Sequence, residues 1–338
     1  MRHEKMTSRE RFHAVMNFQP FDRLPLVEWA SWWDKTVERW HGEGLPLHLT
    51  DRYDLYRHFG LEMYRQAWFG LRKPEFPAPP AHGAGVIADM NDYLRLRRYL
   101  YPEPVVDEAV WQSWAEEQHR GEAVLWFTLE GFFWFPRTLF GIEQHLYAFY
   151  DQPEAMHCIN ADLAAYMLRI IDALCAVCRP DFMTFAEDMS YNHGPMISKA
   201  IFDEFMLPYY RQVVPRLSEY GILAFVDSDG DISEPAAWFA EAGLTGVLPL
   251  ERQAGVDIAF LQERYPALRW LGGYDKMVMS QGENAMRAEF ERLLPAARRG
   301  GFIIGVDHQT PPGVSYADYL LYLRLYREYA LMAGAGGT

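Results

Sequence analysis

Three carboxylates close the stretch Gly221-Ile-Leu-Ala-Phe-Val-Asp-Ser-Asp-Gly-Asp231. The apolar run before them reads as a buried strand that carries Asp227 and Asp229 to its C-terminal end. Carboxylates so placed can move protons or hold a divalent ion. The same design recurs along the chain. Asp181-Phe-Met-Thr-Phe-Ala ends in Glu187-Asp188, Gly246-Val-Leu-Pro-Leu in Glu251, Leu268-Arg-Trp-Leu-Gly-Gly in Tyr274-Asp275, and Gly301-Phe-Ile-Ile-Gly-Val in Asp307-His308. A neutral imidazole at His308 can bind metal or transfer protons, and the Pro311-Pro312 turn behind it would hold it in place. Of the neighbours Glu187 and Asp188, only one can point inward while the strand is regular. His193 falls in a loop before Gly194-Pro195. Plainer roles are open to several of these. Asp229-Gly-Asp-Ile-Ser233 also suits an N-cap and turn, and Asp275 has Lys276 beside it as an ion-pair partner.

Helical stretches separate these strand-like runs, and that alternation implies a parallel sheet. Polar residues at successive strand ends point to an α/β fold, a (β/α)8 TIM barrel with its active site at the C-terminal mouth. The expected strands lie near 24–29, 62–68, 123–129, 181–186, 221–227, 246–250, 268–272 and 301–306. One domain spans 1–338, with N-terminal helical and hairpin additions. Thr7-Ser-Arg-Glu10 fits a capping box that opens a helix to about Asn17. The hairpin is expected within 85–101, built on Asn91-Asp92. Nine of the eleven Trp precede residue 135. Trp29, Trp32, Trp33, Trp68 and Trp134 could pack the core or form an aromatic wall for a planar substrate.

Composition narrows the function classes. A net charge of −14 argues against nucleic acid as the main partner, because phosphate binding needs a basic face. No window reaches the apolar length of a membrane span, and the first residues lack the apolar core of a signal peptide. The expectation is a soluble cytoplasmic protein acting on a small molecule. Cys175 and Cys178 share one face of a long predicted helix, without a second ligand pair for zinc, and read as small core residues.

Glu187-Asp-Met-Ser-Tyr-Asn-His-Gly-Pro-Met-Ile-Ser198 and Phe205-Met-Leu-Pro-Tyr-Tyr210 resemble the uroporphyrinogen decarboxylase superfamily. So do Asp229-Gly230 after a strand, Gly272-Gly-Tyr-Asp275 and Asp307-His-Gln-Thr-Pro-Pro312. The resemblance implies the (β/α)8 fold. It also implies one of two reactions: decarboxylation of a porphyrinogen, or zinc-dependent methyl transfer serving corrinoid proteins or coenzyme M. The departures favour the second. Decarboxylases of the superfamily carry Arg-x-x-Gly-Arg after the first strand, whereas Trp29-Ala-Ser-Trp-Trp-Asp34 stands here. They place an Asp at the end of the second strand, whereas Leu61-Glu-Met-Tyr-Arg-Gln66 stands here. His308 matches their histidine, and Asp188 their substrate-contacting serine, by position. The methyltransferases bind zinc through His-x-Cys after the fifth strand and a Cys after the eighth. The matching positions here are Asp227-Ser-Asp229 and Asp307-His308.

The reading that results is demethylation of a small methylated compound, with methyl passed to a corrinoid protein or a thiol. The alternative is a carboxy-lyase. Asp229 and His308 are the expected catalytic pair, converging at the mouth. Glu187, Asp188, His193, Tyr274, Asp275, Trp29 and Trp134 are expected around the substrate. A divalent metal, zinc by resemblance, would sit on Asp227, Asp229 and His308.

Overall fold

The computed structural model describes residues 6–103 and 106–334. The chain forms two compact units, each assembled from separate stretches. The first comprises the chain up to Arg65, Glu116–Val124 and everything from Gly246 on; the second comprises Gln66–Ala115 and Leu125–Thr245. In chain order the strands are β1 (Met63–Trp68), β2 (Ala123–Glu130), β3 (Phe182–Ala186), β4 (Ser190–Tyr191), β5 (Gly194–Pro195), β6 (Leu223–Asp227), β7 (Gly246–Leu248), β8 (Arg269–Tyr274) and β9 (Phe302–Val306). Strands β4 and β5 make a small antiparallel hairpin. The other seven are separated by helices, as an α/β fold requires. Seven of the eight expected strands are therefore present.

In the second unit β2, β3 and β6 run parallel, with Thr128 opposite Thr184 and Thr184 opposite Phe225. Their residues are apolar almost without interruption because both faces are covered. The two buried threonines satisfy each other, Oγ1 to Oγ1 at 2.6 Å, and Gln66 donates to Thr128 at 3.0 Å. The helix Pro153–Cys175 buries Met156, Ile159, Leu163, Met167, Ile170 and Leu174 along one stripe. Each such side chain contributes roughly 1.5–3 kcal/mol when removed from water. Asn160 in that stripe spends its amide on the carbonyls of Phe132 and Phe205, at 3.1 and 2.8 Å. Cys175 and Cys178 are free, and burial pushes both thiols up to about 12, so they are unreactive packing residues.

The expected hairpin within 85–101 is a helix, Met90–Leu96, followed by a 3-10 turn at Arg97–Tyr99. Asp89 caps it by accepting the amide of Asp92 at 3.0 Å. The apolar positions Ile87, Met90, Tyr93, Leu96 and Tyr99 recur every three residues. That is a helical spacing, and Tyr93 and Leu96 are the buried members.

In the first unit β7, β8 and β9 run parallel, with Val247 opposite Trp270 and Gly272 opposite Ile304. Gly272 has φ +114°, and a Cβ there would stand 1.9 Å from the carbonyl oxygen of Pro249. Only glycine permits that approach, which lets Gly273 donate to Pro249 at 2.9 Å. Helices Glu283–Arg298 and Tyr316–Gly334 cover this unit's strands and meet through Phe290, stacked on Tyr329 at 5.1 Å. The capping box at Thr7 and Glu10 forms as expected, opening the helix Ser8–Met16.

The expected first strand at 24–29 is extended but forms no ladder. The hydroxyl of Tyr326 takes its place: it receives the amide of Val27 and donates to Pro25 and Ile304 carbonyls. On the other side Leu26 accepts the amide of Glu62 at 2.8 Å. A tyrosine from the last helix thus satisfies backbone groups that a neighbouring strand would otherwise pair. An eighth sheet strand, and with it the full (β/α)8 pattern, is absent among the described residues.

Candidate active site

In the second unit the ends of β3 and β6 bring carboxylates together. Glu187 and Asp188 both donate their amides to the carbonyl of Asp227, at 2.8 and 3.4 Å. Asp188 takes a left-handed backbone, φ +41°. This reversal sends its side chain back across β6, where it accepts the amide of Asp229 at 3.3 Å. Such a conformation costs a non-glycine residue about 1 kcal/mol or more and recurs at functional sites. Asp188, Asp227 and Asp229 all keep partial exposure. Burial raises Asp227 well above the usual carboxylate range, and the neighbouring charges of Asp188 and Asp229 raise it further. Asp227 therefore holds a proton more readily than an ordinary carboxylate does.

Glu187 does not meet substrate as expected. It is fully buried and accepts amides from Phe132 (2.8 Å), Phe133 (2.7 Å) and Trp134 (3.3 Å), together with the Tyr210 hydroxyl. Burial lifts its carboxyl to about 7 against the pull of these donors. Its work is to hold the turn that leads into the helix Trp134–Phe140. Gly131 makes room, since a Cβ there would lie 2.1 Å from the Glu187 carboxyl carbon. The turn presents Trp134 and Arg137, both half-exposed. The Arg137 guanidinium lies 5.0 Å from the Trp134 ring centre and reaches the Asp188 carbonyl at 3.4 Å. Trp134 is thus linked to Asp188 through Arg137. His193 sits exposed in the β4–β5 hairpin, against the Tyr191 ring at 5.9 Å.

In the first unit the ends of β7, β8 and β9 meet around Asp307. This residue is fully buried and accepts the amides of Arg252 and Lys276 at 3.0 and 3.2 Å, and the Lys276 ammonium at 3.3 Å. Burial raises its pKa, against the opposing pull of Lys276 and the two amides. His308, next in sequence, is part-exposed and meets the edge of Trp29, ring centres 6.3 Å apart. Trp29 itself is 8% exposed and donates its indole N–H to Val306 at 2.6 Å. It fixes the end of β9 beside His308 more than it offers a face.

Tyr274 was expected at the substrate and is not available to it. It is fully buried against Phe290 and Tyr322, at 4.5 and 5.0 Å, on the helix side of β8. The reason is the period of two along a strand: facing Asp275 outward turns Tyr274 into the helix layer. Asp275 caps the turn Lys276–Gln281 by accepting the Met277 amide at 2.8 Å, and accepts from Gln253 at 2.8 Å. Trp32 is likewise packed, edge-on to Tyr56 and Tyr319. Trp33 and Trp68 are exposed, at 43% and 58%. Asp229 and His308 belong to different units and are placed here only within their own.

Sequence reasoning did not single out Tyr210 or Arg137, and it named Asp307 and Lys276 without the ion pair between them. Tyr210 lay inside a quoted motif. Asp307 was visible as the residue before His308, but its three donors arrive from two other loops and leave no mark on the sequence. Among the described residues no group of three or more His, Cys, Asp and Glu side chains is arranged to hold a metal ion. No helix among the described residues is long and apolar enough to cross a membrane.

An α/β fold with acidic strand ends defines a broad class of enzyme-like proteins, and comparison with known proteins narrows it. The uroporphyrinogen decarboxylase (URO-D) family pattern matches residues 133–329, more than half of the chain, and the chain belongs to that family. Among solved structures, a methyltransferase from Methanosarcina mazei is similar at 13% identity, covering 96% of this chain and 99% of that one with a TM-score of 0.63. A putative vitamin-B12 independent methionine synthase from Listeria monocytogenes is 12% identical, covering 92% of this chain and 97% of that one, with a TM-score of 0.43. The first of these likenesses is one of fold. No curated protein matches the chain by sequence.

Proposed function

We propose that the chain is a methyltransferase of the URO-D family, which demethylates a small O-, N- or S-methyl compound. The observation that carries this reading is the cluster of partly exposed carboxylates Asp188, Asp227 and Asp229 at the ends of β3 and β6, in which burial and the two neighbouring charges raise the pKa of Asp227. Demethylation leaves an electron pair on the heteroatom, and the reaction is slow unless that charge is neutralised. The bond from heteroatom to methyl carbon breaks, its electron pair stays on the heteroatom, and the Asp227 proton is delivered to that pair. The acceptor, a corrinoid on a partner protein or a thiol, supplies the nucleophilic pair that forms the new bond to carbon. Asp188 and Asp229 keep Asp227 protonated until the leaving group needs the proton, and afterwards Asp227 recovers one from solvent. Asp229, beside Asp227 and Asp188, is assigned to substrate contact.

A carboxy-lyase acting on a porphyrinogen fits less well. Its substrate presents many carboxylates and needs a basic clamp. The arginines nearest the end of the 24–29 segment are engaged elsewhere: Arg39 with Glu43 and the Pro312 carbonyl, and Arg52 with Tyr56 and the Trp29 carbonyl. The test is product release from a panel of methyl ethers, methylamines and thioethers, supplied with reduced corrinoid or thiol and followed by chromatography. Asp227→Asn should lower the rate by roughly 10²–10⁴-fold, the usual contribution of a general acid. Wild-type rates from Asp227→Asn would sink the assignment.

A further inference from the structure

Arg137 differs from two other arginines of its unit in what it touches. Arg72 is paired with Glu130 and bonded to Thr138, and Arg216 is paired with Asp172 and Glu219. Arg137 has no carboxylate partner among the described residues. Among the described residues its one hydrogen bond is the 3.4 Å contact with the Asp188 carbonyl, and it lies over the Trp134 ring. Behind it stands His145, fully buried against Phe133 at 4.7 Å and Phe149 at 4.9 Å, with neither ring nitrogen bonded. Burial and the Arg137 charge push His145 down to about 3, so it stays neutral and adds no second charge. A half-buried guanidinium with most of its donors unused is costly to keep unless something supplies the acceptors.

We propose that Arg137 and Trp134 form a subsite for the carboxylate and ring of a planar aromatic acid, whose methylated heteroatom faces Asp188, Asp227 and Asp229. This deepens the methyl-transfer reading and rests on it for the role of the methyl group. The geometry supplies both halves of the recognition. Arg137 lies over one face of Trp134 and offers a planar fork suited to two carboxylate oxygens, and the remainder of the half-exposed indole is left for the substrate ring. The bond from Arg137 to Asp188, and from Asp188 to the Asp229 amide, ties this subsite to the acid cluster. The acidic cluster repels anions in general, so a single cation beside it sets where one carboxylate can lie. A substrate with many carboxylates has no second cation to meet here.

The test is calorimetric and needs no turnover. Benzoate, 4-methoxybenzoate and 2-naphthoate are titrated into the full-length protein, each beside its neutral carboxamide and beside inorganic phosphate. The acids should bind roughly 10–100-fold tighter than the amides, as expected for hydrogen bonds to a charged group. Arg137→Gln should erase that preference, Arg137→Lys should keep part of it, and Trp134→Leu should weaken acids and amides alike. Circular dichroism of each variant establishes that it is folded. Equal binding of acids and amides, no binding of any acid, or an acid preference that survives in Arg137→Gln overturns the proposal. Phosphate binding as tight as the acids would make this a general anion site and overturn the aromatic assignment. Methyl release from 4-methoxybenzoate is scored separately. An Arg137-dependent acid preference without methyl release from any methylated probe upholds the subsite and counts against methyl transfer.

Discussion

Asp227 and Glu28 show how far a carboxyl group can be moved by its surroundings. Asp227 is useful only while protonated, so turnover should be level at low pH and fall as pH rises through its elevated pKa. A rate that instead rises with pH over that range would make Asp227 a base. Glu28 is 2% exposed, beside Tyr319 at 3.1 Å, and burial lifts it to about 8. Between its ordinary value of 4.5 and about 8 the folded chain holds a proton that the unfolded chain has lost. Stability therefore falls as pH rises through that window and is level on either side of it. Glu28→Gln should remove this slope and be more stable than wild type at pH 8, by on the order of 2 kcal/mol. Urea melts of both proteins at pH 5 and pH 8 read it directly, and parallel pH dependence would refute it.

At the scale of elements, the turn after β2 is held from a distance by a residue after β3. Glu187→Ala would leave three amides and the Tyr210 hydroxyl unpartnered in the interior. A loss of about 3 kcal/mol is expected, since each buried donor left unmet costs roughly 1–3 kcal/mol and some will find water. Gly131→Ala attacks the same contact from the other side and should cost a similar amount, with the two changes less than additive when combined. Denaturant midpoints of the two single variants and the double variant check this. Full additivity would mean that the turn and the carboxylate act independently. The positive φ of Asp188 belongs to the same scale. Asp188→Gly should hold or gain stability yet lose turnover, which would separate the strained backbone from the side chain it aims.

For the whole molecule, family membership and charge together shape what the protein should do in solution. The chain belongs to the URO-D family, yet it carries −14 net charge and lacks the basic motif of the decarboxylases. It should not form coproporphyrinogen from uroporphyrinogen at a rate comparable to an authentic decarboxylase. Efficient conversion would reinstate the lyase reading. His308→Ala and Asp229→Asn should each abolish methyl release while leaving the melting temperature near that of wild type. Protein treated with chelator should stay active, because Asp227 supplies the neutralising proton. Loss of activity that zinc alone restores would show that a metal, and not the Asp227 proton, neutralises the leaving group.

Much of this was written into the order of residues. Apolar runs ending in acids marked five of the seven strands, because a strand buried on both faces must be apolar throughout and its polar residues must fall at its ends. The Thr7 capping box and the acids at 227 and 229 were legible for the same local reason. Other features depend on partners far away in the chain. The 24–29 segment has the composition of a strand, but the Tyr326 hydroxyl, some 300 residues on, takes the backbone groups a ladder would use. Residues 85–101 read locally as a hairpin on Asn91-Asp92, but their period of three is helical, and burial of Tyr93 and Leu96 decides the matter. Which of two adjacent acids faces solvent is set by the pleat and by what stands opposite. Glu187 turned inward to three amides, while Asp188 reversed its backbone toward Asp229. Local sequence determines which groups a strand end carries. Desolvation and distant donors, which exist only in the folded chain, decide whether each is an acid, a base or an anchor.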